Sequence, residues 1–315
     1  MAAVGLTRST TLVALNRLIE LGLIDELSAA DPDGNSGPGR PARRFRLRGA
    51  AGVLIGVDLG ERGILAVATD LAGEVLARAR LAGAGRPGRE AHAVQHATEL
   101  AFRAVDAALA SAERSREDVI GVGVGVPAGE DTDTRPRRTF SGLWQRRSAD
   151  LRTALAADFP VARVERDAVF AARAERSLGR GRGHDNFVAV LNSGRPGMGV
   201  FLDGRPARGA VGDLSGRGTL LPLPEADGGM LGQACRVAAC AYDPDLIVVC
   251  GVPAEVLARD VALARDQLWR DSELPAPPLV ASQLGVGVVA LGAACAARED
   301  LRGVALDLFS RRHRG

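Results

Sequence analysis

An acidic residue followed by a glycine turn is the first position at which this sequence could do chemistry. Asp58 and Gly60 separate two apolar runs, residues 53–57 and 64–68, whose composition is typical of neighbouring strands. A glycine in such a turn lets backbone N–H groups approach a phosphate closely. Ordinary hairpin turns show the same pattern, so Asp58 and Gly60 alone do not distinguish a binding loop from a simple connection.

The N-terminal region contains a second group of candidate binding residues, on a short amphipathic helix. Thr7 is a suitable N-cap, Gly22 is a suitable helix stop, and Thr11, Leu15 and Leu18 share one face. A helix of this kind, followed by a turn-rich and arginine-rich segment, is typical of the second half of a winged helix-turn-helix. An ordinary packing helix would show the same periodicity.

The segment after this helix contains five arginines and no acidic residue between positions 40 and 48. Gly39-Arg40-Pro41 favours an extended backbone that can place an arginine in a narrow minor groove of DNA. Phe45 and Leu47 alternate as expected for the second strand of a wing, and a solvated linker is the alternative. We predict that DNA is a partner and that it is contacted by residues of the helix and the wing, namely Thr7, Arg8, Ser9, Thr10, Asn16, Arg17, Arg40, Arg43 and Arg44.

The rest of the chain is predicted to repeat one α/β plan twice. A strand at 118–127 alternates Val with Gly, which indicates the close approach of a ligand or of another backbone. Such duplicated plans bind ligand between their lobes. We therefore expect an appendage, residues 1–50, and two lobes, residues 51–173 and 174–315. The predicted elements are helices at 89–113, 150–159, 165–178, 228–241, 254–269 and 287–297, and further strands at 161–164, 187–191, 200–202 and 246–250.

Composition excludes several classes of protein. Apolar residues make up 46% of the 315 residues and charged residues 25%, which is typical of a folded chain. The net charge of +2 gives no global field, so any contact with nucleic acid must come from a local patch. No apolar run reaches 18 residues and no signal-peptide pattern is present, so we expect a cytoplasmic protein without a membrane partner. The four cysteines form no C-x-x-C pair and are predicted to be buried thiols.

Taken together, these segments resemble the ROK family of repressors, open reading frames and sugar kinases, specifically its transcriptional-regulator branch. The resemblance covers nearly the whole chain, in the correct order: the N-terminal helix, the wing GRPARRFRL, then GVDLGERGILAVATDLAGEVLA, GVGVGVPAGED, LWQRRSADL, VERDAVFAARAE, FLDGRPARGAVG and YDPDLIVVCG. It implies an actin-like (ribonuclease H-like) duplicated sugar-kinase core of two lobes, preceded by a partial winged helix-turn-helix. It also implies homodimers or dimers of dimers, and repression modulated by a sugar or sugar phosphate.

Several family motifs are altered at the positions that phosphoryl transfer requires. In the first phosphate loop Asp58 and Gly60 match, but Glu61 and Arg62 replace Gly and Thr, and a carboxylate repels phosphate. In the second phosphate loop Gly194 and Gly197 remain, but Pro196 supplies no N–H. Asp167 matches the position of the catalytic base, beside Arg166 in place of Asn.

These departures predict a regulator that transfers no phosphoryl group. The family's zinc motif is absent, so we expect no metal, and we expect no ATP cofactor. A sugar pocket, if retained, is predicted at Gly125, Pro127, Asp131, Asp167 and Asp213. An active sugar kinase and a relict dimer with neither activity are the alternatives.

The motif at the N-terminus is shorter than the family pattern, which normally has an earlier helix. Either the start is assigned too late or the motif is truncated. We expect Leu12, Leu15 and Ile19 to be partly exposed where that supporting helix would pack.

Overall fold

The computed structural model describes residues 7–27, 43–60, 63–82, 91–127, 140–192, 196–209, 212–213, 229–269 and 277–312. The chain begins with a helix, α1 (Arg8–Glu20), and two strands, β1 (Ile24–Leu27) and β2 (Arg44–Leu47). The two strands pair antiparallel, with Ile24 opposite Leu47 and Leu27 opposite Arg44. A helix followed by a two-stranded hairpin is the arrangement predicted for this region.

The first lobe is built on a five-stranded mixed sheet. Its strands are β3 (Val53–Asp58), β4 (Ile64–Asp70), β5 (Val75–Leu81), β6 (Val119–Val126) and β7 (Ala162–Arg166). They lie in the order β5-β4-β3-β6-β7. β4 pairs antiparallel with both β3 and β5, while β6 pairs parallel with β3 and β7. Helices α2 (Ala91–Ser111) and α3 (Phe140–Asp158) belong to this lobe, and α2 packs on β4 and β5.

The second lobe repeats this topology. Its sheet contains β8 (Phe187–Leu191), β9 (Gly197–Leu202), β10 (Arg205–Pro206), β13 (Leu246–Cys250) and β14 (Leu279–Ala281), in the order β10-β9-β8-β13-β14. Again a three-stranded antiparallel meander is extended by two parallel strands. Helices α5 (Gly229–Tyr242) and α6 (Ala254–Trp269) pack on this lobe, and β11 (Arg208–Gly209) pairs with β12 (Gly212–Asp213).

Two helices cross between the sheets and form a shared core. These are α4 (Asp167–Leu178), which packs on β8 and β9, and α7 (Val288–Leu301), which packs on β3 and β6. The contact is close because glycines lie at it: a Cβ at Gly123 would be 2.2 Å from the Ala293 carbonyl oxygen, and one at Gly292 would clash with the Phe170 carbonyl. The Val-Gly alternation of β6 therefore serves the approach of another backbone, one of its two predicted meanings.

A separate apolar cluster attaches the N-terminal elements to the first lobe. Leu21 and Leu23, which follow α1, are buried with Ile120 of β6 and with Phe309 of the last helix, α8 (Ala305–Arg312). On the surface, an Arg17 Nη donates to the Ser310 hydroxyl at 3.2 Å. The N-terminal helix is thus joined to both the core and the end of the chain.

The predicted duplicated plan is confirmed, with three local differences. β14 and α8 were not predicted, because β14 has only three residues and α8 is rich in charged residues. α3 begins at Phe140 and not near residue 150. Cys240 is exposed, so the prediction of four buried thiols is wrong at that position, while Cys235, Cys250 and Cys295 are buried.

Candidate functional site

The carboxyl ends of three parallel strands of the first lobe bring the predicted ligand residues to one edge of the sheet. Asp58 ends β3, Pro127 follows β6, and Asp167 follows β7. The register places Asp58 opposite Gly125, and Val126 opposite Arg166. Ligands of open α/β sheets bind at this edge. The strand order therefore makes neighbours of residues that are more than a hundred positions apart in the chain.

Asp58 is the most strongly perturbed carboxyl group at this edge. Its side chain is half-buried at the end of β3. Burial, which disfavours the charged form, and repulsion from the Asp167 carboxylate together raise the pKa of Asp58 to about 8. Near neutral pH Asp58 therefore holds a proton in the folded chain. A protonated carboxyl next to an ionised one offers both a hydrogen-bond donor and acceptors, which suits the hydroxyl groups of a polyol.

Asp167 is positioned by the first turn of α4. It is half-buried, and its Oδ1 accepts the N–H of Ala168 at 2.7 Å. The start of β9 lies against this turn, because a Cβ at Gly197 would be 3.0 Å from the Ala168 Cβ and 3.9 Å from the Asp167 Oδ1. Gly197 thus brings the second lobe close to Asp167. The edge of the first sheet and the start of β9 together border one site.

The turn after β3 is closed by backbone hydrogen bonds. The Leu59 N–H donates to the Gly125 carbonyl at 2.9 Å, and the Gly63 N–H donates to the Gly60 carbonyl at 3.2 Å. Two backbone groups of this turn are therefore already occupied within the protein. A Cβ at Gly60 would lie 3.2 Å from the Gly63 carbonyl oxygen and in ordinary contact with the Asp58 carboxyl oxygens, at 3.4 and 3.5 Å.

The structure positions some of the predicted ligand residues and leaves others outside the described part. Asp131 and Gly194 lie outside the described residues, as do Glu61 and Arg62, and for Asp213 only the backbone position in β12 is described. At Gly125 the space that a Cβ would occupy is filled by the side chains of Val289 and Phe170. That face of Gly125 packs against α4 and α7.

A fully buried acid behind the site was not predicted. Glu175 lies eight residues after Asp167 on α4 and accepts the Ser282 hydroxyl at 2.5 Å and the Arg180 N–H at 2.9 Å. Burial raises the pKa of Glu175. Its position in the alanine-rich stretch of the predicted helix is the sequence signal that could have identified it. The bond from Ser282 joins α4 to the segment that follows β14, and the bond from Arg180 fixes the turn after α4.

A network of ion pairs connects β7 and α4 to the end of α7. Arg173 bonds to Glu165 at 3.3 Å and to Glu299 at 2.5 Å, while Arg163 bonds to Glu165 at 2.5 Å and to Asp300 at 2.6 Å. Arg173 is almost fully buried. The network holds β7, which precedes Asp167, against α7, which precedes α8. It depends on contacts across more than a hundred residues, which sequence spacing does not reveal.

The predicted DNA-contacting residues of α1 lie on its exposed side. Thr7 caps the helix by accepting the Thr10 N–H at 3.2 Å, which confirms the predicted N-cap. Thr7, Arg8, Ser9, Thr10, Asn16 and Arg17 are all exposed. Leu12, Leu15 and Ile19 are half-buried, and no residue of α1 is fully buried in the described structure. The partial exposure expected for this apolar face is therefore confirmed.

The predicted wing arginines differ in their surroundings. Arg43 donates to both carboxylate oxygens of Glu26, at 2.6 and 2.7 Å, and its guanidinium lies 5.2 Å from the centre of the Phe45 ring. Arg44 is exposed on β2. Arg40 lies outside the described residues. The charge of Arg43 is thus largely compensated within the hairpin.

Two sheets of identical strand order with a site between them define the class of duplicated, actin-like sugar-kinase folds. The sequence profile of the ROK family matches residues 54–241, more than half of the chain. The chain belongs to the ROK family.

Relatives of known sequence include both an uncharacterised protein and repressors. The chain is 26% identical to the uncharacterized protein y4fQ of Sinorhizobium fredii over 92% of this chain and 83% of that one. It is also 26% identical to the xylose repressor of Bacillus subtilis over 66% of this chain. That match spans about half of the repressor, 51% of its length.

Solved structures with the same fold include a regulator and kinases. A ROK family transcriptional regulator described as a homolog of the E. coli MLC protein aligns with a TM-score of 0.63 at 16% identity, over 96% of this chain and 91% of that one. A ROK family glucokinase from Streptomyces griseus aligns with a TM-score of 0.58 at 19% identity, over 79% of this chain and 100% of that one. At these identities the similarity establishes the fold.

The described residues contain neither a membrane-spanning helix nor a group of metal ligands. None of the helices in the described part of the chain is long and apolar enough to cross a membrane. Within the same residues, no three His, Cys, Asp or Glu side chains are grouped as metal ligands would be.

Proposed function

We propose that this protein is a transcriptional regulator, a repressor of carbohydrate-metabolism genes, that binds DNA through α1 and the β1–β2 hairpin. The observation that carries the proposal is the attachment of these elements to the core. Leu21 and Leu23 bury them against Ile120 and Phe309, so that the polar face of α1 and the arginines of the hairpin project into solvent. A helix with exposed polar side chains and an adjacent cationic hairpin is what a winged DNA-binding motif requires.

Two similarities support this proposal. Xylose repressors are among the relatives. The fold similarity to a ROK transcriptional regulator extends over 96% of the chain, whereas the similarity to the glucokinase extends over 79%. Homodimers, as the family resemblance implies, would place two copies of α1 on an inverted repeat.

Chromatin immunoprecipitation from the organism that supplies the sequence tests this proposal. We expect the tagged chain to be enriched at a small number of promoters that share an inverted repeat and precede genes of carbohydrate metabolism. Expression of these genes should rise when the chain is deleted. A uniform profile along the chromosome, with unchanged expression in the deletion strain, would contradict the proposal.

We further propose that the site between the lobes binds a sugar and transfers no phosphoryl group. Asp58 and Asp167 present carboxyl groups to the same edge. The protonated Asp58 and the Asp167 carboxylate can bind sugar hydroxyls, whereas Glu61, which stands in place of glycine in the first phosphate loop, adds a carboxylate that repels the oxygens of a triphosphate. The residues present do not fit the phosphate cradles that ATP requires, so we assign no ATP and no metal to the resting protein.

Sugar kinase activity is the second candidate, because ROK kinases share the fold. Incubating the chain with Mg·ATP and a panel of hexoses distinguishes the two functions. We expect no formation of ADP above that of a buffer control. Sugar-dependent formation of ADP that disappears in Asp167→Asn would establish a kinase and refute the non-enzymatic part of the proposal.

A further inference from the structure

The β1–β2 hairpin has two faces of different charge, and this difference refines how the chain would contact DNA. Successive side chains of a strand point to opposite faces. Arg44 and Arg46 therefore share one face of β2, and Phe45 and Leu47 share the other. The cross-strand pairs extend these faces to β1, because Asp25 lies opposite Arg46 and Glu26 lies opposite Phe45.

On the Phe45 face the positive charge is compensated. Arg43 binds both oxygens of Glu26 and lies over the Phe45 ring. The hydrogen bond to Glu26 raises the pKa of Arg43. If Arg43 turned towards a phosphate, this bidentate pair would break. The Glu26 carboxylate would then lie next to the DNA and repel it. This face is therefore unsuited to a phosphate backbone.

The opposite face carries Arg44, Arg46 and Arg48 against one acid of the hairpin strands, Asp25, so it has an excess of positive charge. In the described part of the chain, neither Arg44 nor Arg46 has an acidic side chain within 4.0 Å. Asp25 lies instead near Arg48, at 3.7 Å, which exceeds hydrogen-bond distance. Arg44, Arg46 and Arg48 are all exposed. They occur at every second residue, roughly 6.7 Å apart along an extended strand. This spacing is comparable to the distance between successive phosphates of a DNA strand.

We propose that the hairpin contacts the phosphates of DNA through Arg44 and Arg46, and that Arg43 is a positioning residue that braces the hairpin without touching DNA. This inference rests on the proposed function and specifies the surface that serves it. It assigns a contact to Arg46, which the sequence pattern did not single out. It also removes Arg43 from the predicted contact set.

The salt dependence of DNA binding tests the inference with matched variants. The full chain is titrated into a fluorescently labelled DNA duplex of mixed sequence, between about 50 and about 200 mM salt. Each phosphate contact contributes about 0.9 to the slope of the logarithm of the association constant against the logarithm of the salt concentration. We expect Arg44→Gln and Arg46→Gln each to lower the slope by about that amount, and Arg44→Lys to restore it.

Arg43→Gln removes the same formal charge and is the matched control, for which we expect an unchanged slope. Because it also removes a charged partner of Glu26, the double variant Glu26→Gln/Arg43→Gln is measured beside it, and thermal unfolding verifies that each variant is folded. Slopes lowered equally by the Arg43 variants and by Arg44→Gln would overturn the inference while leaving the proposed function intact. Absence of salt-dependent binding by the wild-type chain would overturn both.

Discussion

Replacing Asp58 by Asn is expected to stabilise the fold, and to do so increasingly as the pH rises. In the folded chain, burial and the neighbouring Asp167 raise the pKa of Asp58 to about 8. An unfolded aspartate has a pKa of about 3.9. Between these two values the folded state keeps a proton that the unfolded state has lost, so the free energy of unfolding falls as the pH increases. Asparagine carries no such proton and removes this dependence.

The size of the effect follows from the pKa difference. About four pKa units at about 1.4 kcal/mol each set an upper limit of about 5.5 kcal/mol. The limit is not reached, because Asp58 is half-buried and water stabilises part of the charge. We expect Asp58→Asn to gain about 2 kcal/mol more at about pH 8 than at about pH 5.

Urea-induced unfolding at several pH values measures this gain. The wild-type chain, Asp58→Asn and the control Asp150→Asn, which changes an exposed aspartate of α3, are compared at each pH. The expected result is a stability gain that grows with pH for Asp58→Asn and stays constant for Asp150→Asn. A gain for Asp58→Asn that is equal at about pH 5 and about pH 8 would show that burial and Asp167 do not hold a proton on Asp58.

Three further predictions concern the packing of the core and the thiols. Gly123→Ala places a Cβ 2.2 Å from a carbonyl oxygen of α7. We therefore expect its free energy of unfolding in urea to fall by more than about 3 kcal/mol. In the control Gly303→Ala the nearest atom lies at 3.6 Å, so its stability should be close to that of the wild type. Ser282→Ala removes the hydroxyl donor of buried Glu175 and should cost about 1 to 3 kcal/mol in the same assay; a neutral result would show that water replaces the serine. A thiol-specific reagent should label Cys240 alone in the native chain and all the cysteines in urea; rapid native labelling of a second cysteine would contradict the burial described.

The sequence pattern predicted several elements of the two sheets well because their strands are short apolar runs. α6 has the predicted bounds, Ala254–Trp269, and β8 and β13 do as well. The periodicity of α1 correctly identified its half-buried face. β14 was missed because three residues carry too little periodicity for a strand to be recognised.

The candidate site could be predicted only in part, since its geometry depends on contacts between distant segments. Asp58 and Asp167 were identified individually, but their mutual repulsion follows from the order β3-β6-β7. The wing arginines were identified as a group. The ion pair with Glu26 distinguishes Arg43 from the other wing arginines. This pair joins residues 17 positions apart, and it depends on the register of the hairpin.

Selection on sheared genomic DNA with the purified chain tests whether α1 binds a specific DNA sequence. The wild-type chain is compared with Asn16→Ala, which changes the exposed face of α1, and with Ala258→Ser, which changes an exposed residue of α6 in the second lobe. We expect the wild type and Ala258→Ser to enrich the same inverted repeat and Asn16→Ala to enrich it less or not at all. Absence of any enriched sequence with the wild-type chain, or equal enrichment with Asn16→Ala, would contradict the claim that α1 reads DNA.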